Sequence, residues 1–421
     1  MAITEQVGTA VRAIADQQAE KAILTRWRLW TMAASAGIVI ANINYAQPLL
    51  ADMARSFLVS AEKIGWVAML TQTGFASGML LVAPFGDATD RRRMLTAICV
   101  LGAAALLGVA MAPSFVVIAV AGFAVGVGSI AAPLLMAFAA YLARPEEQGR
   151  AVGAIMGGLL IGILLARTLS GYVGQQLGWR AMYWIASVPM LLLALVLRLL
   201  LPRTQPRARL RYRQLMVSLG ELIVDQPVLR DTALTGAMLF GAFHAFWTTL
   251  VFRLESPPYH YGSQAAGLFG LVGVTSALAA SVAGHWADRR DARELLRFMI
   301  LISLVAYVLL WLFSSYLWGI IVAVILLDAG VQGGSTCNHA RYYRALPEAQ
   351  NRAATIYLVS FFFGGSAGTA LGAHAWQHFG YTGVCFTGMA LVAIAGIKSL
   401  LPLAPARVRE VADKSTAQTL E

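Results

Sequence analysis

Runs of mostly apolar residues follow one another along the chain at 28–50, 62–84, 94–112, 114–142, 149–173, 180–201, 231–253, 263–284, 294–314, 316–342, 351–376 and 380–402. A hydrocarbon core about 30 Å thick takes roughly 20 helical residues to cross. Lipid offers the backbone no hydrogen-bond partners, so runs of this length predict helices; barrel strands would be about half as long and alternate in polarity. The pattern therefore predicts an all-α integral membrane protein with twelve transmembrane helices. The polar words between the runs repeat. GDATDRRR at 86–93 returns as GHWADRRD at 284–291, 198 residues later, and PEEQGRA at 145–151 returns as PEAQNRA at 347–353, 202 residues later. Such self-similarity means one unit used twice, and parallel halves in a membrane chain point to a transporter.

The repeat divides the chain into a tail (1–27), a six-helix bundle (28–201), a linker (202–230), a second six-helix bundle (231–402) and a closing tail (403–421). In the linker, Pro202, Pro206 and a run of arginines break the apolar pattern. Its later part, Leu210 to Leu222, reads either as a helix lying on an anionic lipid surface or as a solvated strap held near it by charge. Residues 1–25 hold Asp16, Glu20 and Lys21 and lack an apolar core, so no cleavable signal is expected and the first span is the insertion signal.

Composition agrees with the pattern: 58% of residues are hydrophobic, 13% are charged and the mean hydropathy is +0.68. A soluble domain would carry about 25% charge. The net charge of +11 raises the possibility of nucleic acid, but the basic residues are sorted by topology. With the N-terminus inside, only Arg55, Lys63, Arg180 and Arg253 of the 32 lysines and arginines fall outside. The other loops carry clusters, among them Arg91 to Arg93, Arg203 to Arg213, Arg289 to Arg297, and Arg341, Arg344 and Arg352. This positive-inside bias puts both termini in the cytoplasm and leaves the lipid bilayer, not nucleic acid, as the partner. Cys99, Cys337 and Cys385 are odd in number, lie inside apolar runs and have no metal-ligand spacing, so they read as packing residues.

Ionisable residues at membrane depth are costly and usually face a cavity or one another. Asp328, twelve residues into the run 316–342, lies near the midplane, and Arg167 lies in the outer half of 149–173. Desolvation disfavours a charged carboxylate, so Asp328 is the candidate proton carrier, with His244 and Arg167 as its candidate partners; a purely structural ion pair is the alternative. Asn42, Asn44, Tyr45, Gln47, Gln72, Trp247, Gln332, Asn338 and His339 complete a polar and aromatic inventory for a substrate cavity, each also able to serve as an interhelical hydrogen bond. Gly153, Gly157, Gly158 and Gly162, and Gly364, Gly368 and Gly372, stand at spacings that let helices approach closely. Gly364 to Gly368 also spells the G-x-S-x-G hydrolase word, which needs a strand-to-helix turn that mid-helix cannot supply. With no G-x-x-x-x-G-K-[ST], H-E-x-x-H or paired-carboxylate site, the chain is expected to be no enzyme, to need neither cofactor nor metal, and to draw on a gradient.

Twelve spans, parallel halves, a central polar loop and the G-x-x-x-D-R word with its copy resemble the major facilitator superfamily over essentially the whole length. NYAQPLL at 44–50, LLARTLSG at 164–171 and LLDAGVQ at 326–332 are similar to words of bacterial inner-membrane drug or sugar efflux permeases of the proton-antiporter type. The resemblance implies that spans 1, 4, 7 and 10 line a central cavity. It also implies that Gly86, Asp90 and Arg91, with Gly284, Asp288 and Arg289, latch the cytoplasmic side. The family word usually continues D-R-x-G-R-R; here Arg91 to Arg93 follow Asp90 directly, and Asp291 stands where the second glycine would be. No proline follows Gly157 or Gly158, where antiporters of the family carry a glycine-proline word. The expected function is secondary, proton-coupled efflux of a small organic solute (a drug, sugar or metabolite) by alternating access, in a monomer. A uniporter or importer of the same fold stands as the alternative, and a membrane-embedded enzyme or sensor scaffold as the reading outside transport.

Overall fold

The computed structural model describes residues 24–87, 89–202, 212–273, 286 and 291–402. The first half holds α1 (Arg26–Asn44), α2 (Leu50–Phe57), α3 (Ala61–Leu81), α4 (Arg91–Ala110), α5 (Phe115–Gly128), α6 (Ala131–Leu142), α7 (Gln148–Leu177) and α8 (Trp179–Leu200). The linker helix α9 (Tyr212–Asp225) leads to α10 (Pro227–Glu255), α11 (Ser263–Leu268), α12 (Ala292–Leu312), α13 (Leu317–Ala345) and α14 (Gln350–Leu400). Nine helical stretches among the described residues are long and apolar enough to cross a bilayer. They account for ten of the twelve expected spans, because α14 breaks at Gly380 (φ 61°, ψ −157°) and is two spans. The first span is α1, followed by a turn of 3-10 helix at Gln47–Leu49 that opens on Pro48. The eighth is described only through α11 and the turn Phe269–Gly273.

Local chemistry explains the breaks. The fourth span divides into α5 and α6 because Pro133 has no N–H to offer the carbonyl of Ser129; the Ala132 amide takes that carbonyl instead, at 3.2 Å, and the helix tightens there. Thr25 and Ser60 cap α1 and α3 through their hydroxyls, accepting from the Arg28 and Lys63 amides. Asp90 caps α4 by accepting from the Arg92 amide at 3.1 Å, and Asp291 caps α12 by accepting from the Arg293 amide at 2.9 Å. Asp291 therefore does for α12 what Asp90 does for α4.

The repeat is visible in packing. In the first half, a side chain at Gly158 or Gly162 would overlap the backbone of Ala33 or Gly37 on α1; in the second, Gly364 and Gly368 press in the same way on Ala237 and Gly241 of α10. The crossing of spans 1 and 5 is thus repeated by spans 7 and 11. Gly153 and Gly157 face open space, so the close approach involves only part of the glycine row. Ser366, in the hydrolase-like word, lies inside α14, and its hydroxyl meets Thr73 Oγ1 at 2.7 Å and the Met69 carbonyl at 3.1 Å across the boundary between halves.

The two ends of the bundle differ. At the arginine-poor end, each of the four exceptional basic residues has a job: Arg55 pairs with Asp52 and with Glu255 of the other half, and the hydrogen bond to Glu255 holds its guanidinium above the ordinary arginine value. Arg180 donates to the Ala112 carbonyl at 2.9 Å, Arg253 to the Ser314 carbonyl at 2.7 Å, and Lys63 lies over the Phe115 ring. At the other end, Arg293 and Arg297 hydrogen-bond the Ser399 carbonyl at the close of α14. Of the two readings of the linker's later part, the structure shows a helix, and its Leu219 joins a buried cluster with Leu229, Tyr342 and Tyr357. Cys99, Cys337 and Cys385 are buried and unpaired.

Candidate functional site: a central cavity

Between the halves lies a partly enclosed cavity of about 140 Å³, with Asn44, Gln72, Arg167, His244, Asp328 and Gln332 as its polar lining and Phe240, Phe243 and Phe362 as its aromatic walls. The helical period puts these groups together. Phe240, Phe243, His244 and Trp247 follow the i, i+3, i+4, i+7 spacing of one face of α10, while Asp328 and Gln332 are one turn apart on α13.

Arg167 and Asp328, 4% and 2% exposed, are coupled through an indole rather than in direct contact. The guanidinium lies 3.9 Å over the Trp247 ring, and the Nε1–H of that ring donates to Asp328 Oδ1 at 3.3 Å. A desolvated cation–π contact of this kind is worth roughly 2 kcal/mol. Arg167 Nε donates to Gln47 Oε1 at 2.7 Å, so the 3-10 turn after α1 holds the cation from behind. On the facing wall, His244 Nδ1 lies 3.2 Å from the Phe240 carbonyl and Nε2 lies 2.6 Å from Gln72 Nε2. With the Gln72 amide turned so that its nitrogen donates to Nε2, the ring is the neutral tautomer with its proton on Nδ1, donated to the Phe240 carbonyl. The Gln72–His244 bond joins α3 to α10, one half to the other.

Six of the polar residues singled out from sequence thus meet at the cavity, with Gln47 and Trp247 directly behind Arg167. Asn42, Tyr45, Asn338 and His339 are not among its lining residues. Asn42 Oδ1 and Asn338 Nδ2 are buried without partners, Tyr45 is buried beside the first-half core, and His339 contacts the Ser335 carbonyl at 2.8 Å amid Tyr342 and Tyr357. The expected contribution of span 4 also differs: no residue of α5 or α6 lines this cavity, and α3, α7 and α14 supply walls in its place.

Sequence reasoning passed over two charges. Asp231 (1% exposed) and Arg341 pair inside the second half, with Thr235 and Arg341 sharing Asn338 Oδ1 and Lys398 at 3.8 Å from Asp231. Arg341 read as part of a loop cluster because its apolar run ended near residue 342, whereas α13 continues to Ala345. Opposite charges near the arginine-rich ends of spans 7 and 10 were the available signal.

At the expected latch, Asp90 caps α4 and lies 3.8 Å from Arg93, while the Arg91 guanidinium stands 4.5 Å over the Tyr141 ring at the end of α6. Gly86 falls in the 3-10 turn Ala83–Asp87. Gly284, Asp288 and Arg289 lie outside the described residues.

Comparison with known proteins agrees with this architecture. The family model described as Major Facilitator Superfamily matches residues 29–368 and, in a second match, 260–419. The chain is 38% identical over 363 residues to the "Uncharacterized transporter YgaY" of Escherichia coli O157:H7, covering 86% of this chain and 92% of that protein. It is 24% identical over 375 residues to a "Probable sugar efflux transporter" of Pasteurella multocida, covering 86% and 89%. Among solved structures, a bacterial homolog of the human lysosomal transporter Spinster, inward-facing and unoccupied, superposes with a TM-score of 0.70 at 15% identity, covering 88% of this chain and 95% of that one. With its doubled bundle, its buried polar cavity and a family match over most of its length, the chain belongs to the major facilitator superfamily of membrane transporters.

Proposed function

We propose that the protein exports a small organic solute in exchange for protons by alternating access, in a bacterial inner membrane with both termini in the cytoplasm. One contrast carries the reading. Asp231 and Asp328 are the two buried carboxylates among the described residues. Asp231 is committed to Arg341 and Lys398, whereas Asp328 opens on the cavity with a single neutral donor, Trp247 Nε1, as its hydrogen-bond partner. Only the second is placed to exchange a proton with whatever fills the cavity.

Charged Asp328 offers acceptor oxygens to a solute hydroxyl or amine, and protonation withdraws them. Solute and proton then occupy the site in turn, which is what exchange requires. Arg167 keeps the deprotonated state tolerable at membrane depth, and Gln47 and Trp247 hold Arg167 in place. His244, with both ring nitrogens engaged, acts as a link between halves that must release Gln72 when they rock apart. The aromatic walls suit the apolar face of a sugar ring or an amphipathic drug. The sugar efflux naming of the Pasteurella relative supports the export direction, and the arginine clusters support cytoplasmic termini.

A stabilisation screen of the purified protein across sugars and amphipathic amines would supply a solute, since a binder raises apparent stability by mass action. In proteoliposomes with a trapped pH dye, solute added outside should enter as protons leave, and the lumen should become alkaline. Solute uptake with no change in luminal pH would make the protein a uniporter.

A further inference from the structure

Away from the cavity, at the arginine-poor end, three potential metal ligands converge. Glu62 stands in the first turn of α3, and His374 and His378 stand one helical turn apart on α14. His374 Nδ1 lies 3.0 Å from Glu62 Oε1 and His378 Nε2 lies 3.4 Å from Glu62 Oε2. One ligand atom from each residue falls within 4.8 Å of the others. Tetrahedral zinc binds imidazole nitrogen and carboxylate oxygen at about 2.0–2.2 Å, which sets donor atoms about 3.3 Å apart along the edges of the tetrahedron. The observed spacings are those of a site needing only small rotations to close on an ion.

The surroundings favour a metal over a simple ion pair. The two imidazole rings are 4.4 Å apart and address one carboxylate from the same side. The neighbouring cation, Lys63, is drawn away over Phe115. The imidazoles are about half exposed, at 54% and 52%, so an ion and its water have a path in. Two histidines at i, i+4 on one helix face with a carboxylate from another element form a three-ligand set that leaves a fourth position to water. Nitrogen ligands select zinc and its transition-metal neighbours over calcium and magnesium, which need cages of oxygen.

The ligands come from both halves. Next to them, Gly65 and Ala373 bring α3 and α14 so close that a side chain at Gly65 would overlap Ala373, which fixes the register of Glu62 against His374. We propose that Glu62, His374 and His378 form a zinc site that holds the arginine-poor end of the transporter closed. Rocking the halves apart at that end must separate the ligands, so zinc binds the closed state better and shifts the population toward it.

Calorimetry of the tag-free, detergent-purified protein with zinc chloride, paired with hydrogen–deuterium exchange, tests this. Native protein should bind one zinc, and His374→Gln with His378→Gln, or Glu62→Gln alone, should weaken binding at least tenfold. Zinc should slow amide exchange in both 58–65 and 372–379 of the native protein. Failure of the native protein to bind zinc, or equal binding by the variants, would overturn the site. Binding that slows exchange in 372–379 but not in 58–65 would overturn its role across the halves.

Discussion

At the scale of single residues, the two buried acids among the described residues differ in their surroundings. Asp231 sits in an ion-paired cluster with Arg341, Lys398 and Asn338, and nothing in its surroundings opens on the cavity. Breaking a buried pair leaves a charge without its partner, which costs about 3–5 kcal/mol, whereas replacing both members with apolar residues is close to neutral. Arg341→Met should therefore lower the apparent melting temperature of the detergent-purified protein sharply, by a loss of about 3–5 kcal/mol. Adding Asp231→Leu should restore most of it. A double variant as unstable as the single one would show that the cluster does more than balance charge. Asp328 should behave in the opposite way: its removal should spare the fold, because a neutral donor and a cavity surround it.

Among the elements, the caps and crossings carry the repeat. Asp90 both caps α4 and belongs to the word that the family resemblance assigns to a latch, and substitution separates the two roles. Asn caps a helix about as well as Asp, while Ala loses about 1 kcal/mol. Asp90→Asn should leave melting unchanged and lower solute efflux from proteoliposomes severalfold; unchanged efflux would reduce Asp90 to a cap. The crossings predict a second contrast. Gly368→Leu drives a side chain into the Gly241 backbone and should destabilise by about 1–3 kcal/mol or prevent folding, while Gly157→Leu meets open space and should leave melting and elution profile unchanged. Equal effects at both positions would contradict the α10–α14 packing. These elements also mark what the sequence could show. Hydropathy alone located the ten spans that appear as long apolar helices among the described residues, because lipid imposes length and polarity together. It could not place the break at Ser129, which depends on one missing amide at Pro133, nor show that Asp291 caps its helix. Asp328 and Arg167 stood out as charges deep in apolar runs. Phe240 and Phe243 did not, since an aromatic stripe on a helix looks the same whether it faces lipid, core or cavity.

For the whole molecule, described polar contacts between the halves gather at the arginine-poor end and midplane. They run from Arg55–Glu255 and Glu62–His374 through Thr168 donating to the Gly267 carbonyl, down to Thr73–Ser366 and Gln72–His244. Under the proposed alternating access this set must break and another form, with the cavity passing from one side to the other. In the proposed cycle Asp328 couples that passage to protons. Asp328→Asn resembles the protonated side chain and cannot release a proton, so it should retain downhill solute exchange while losing concentrative movement. Reconstituted into proteoliposomes with an imposed proton gradient, native protein should move solute uphill; Asp328→Asn should equilibrate it and go no further. Uphill movement by Asp328→Asn at the native rate would contradict the assignment of the coupling proton to this residue.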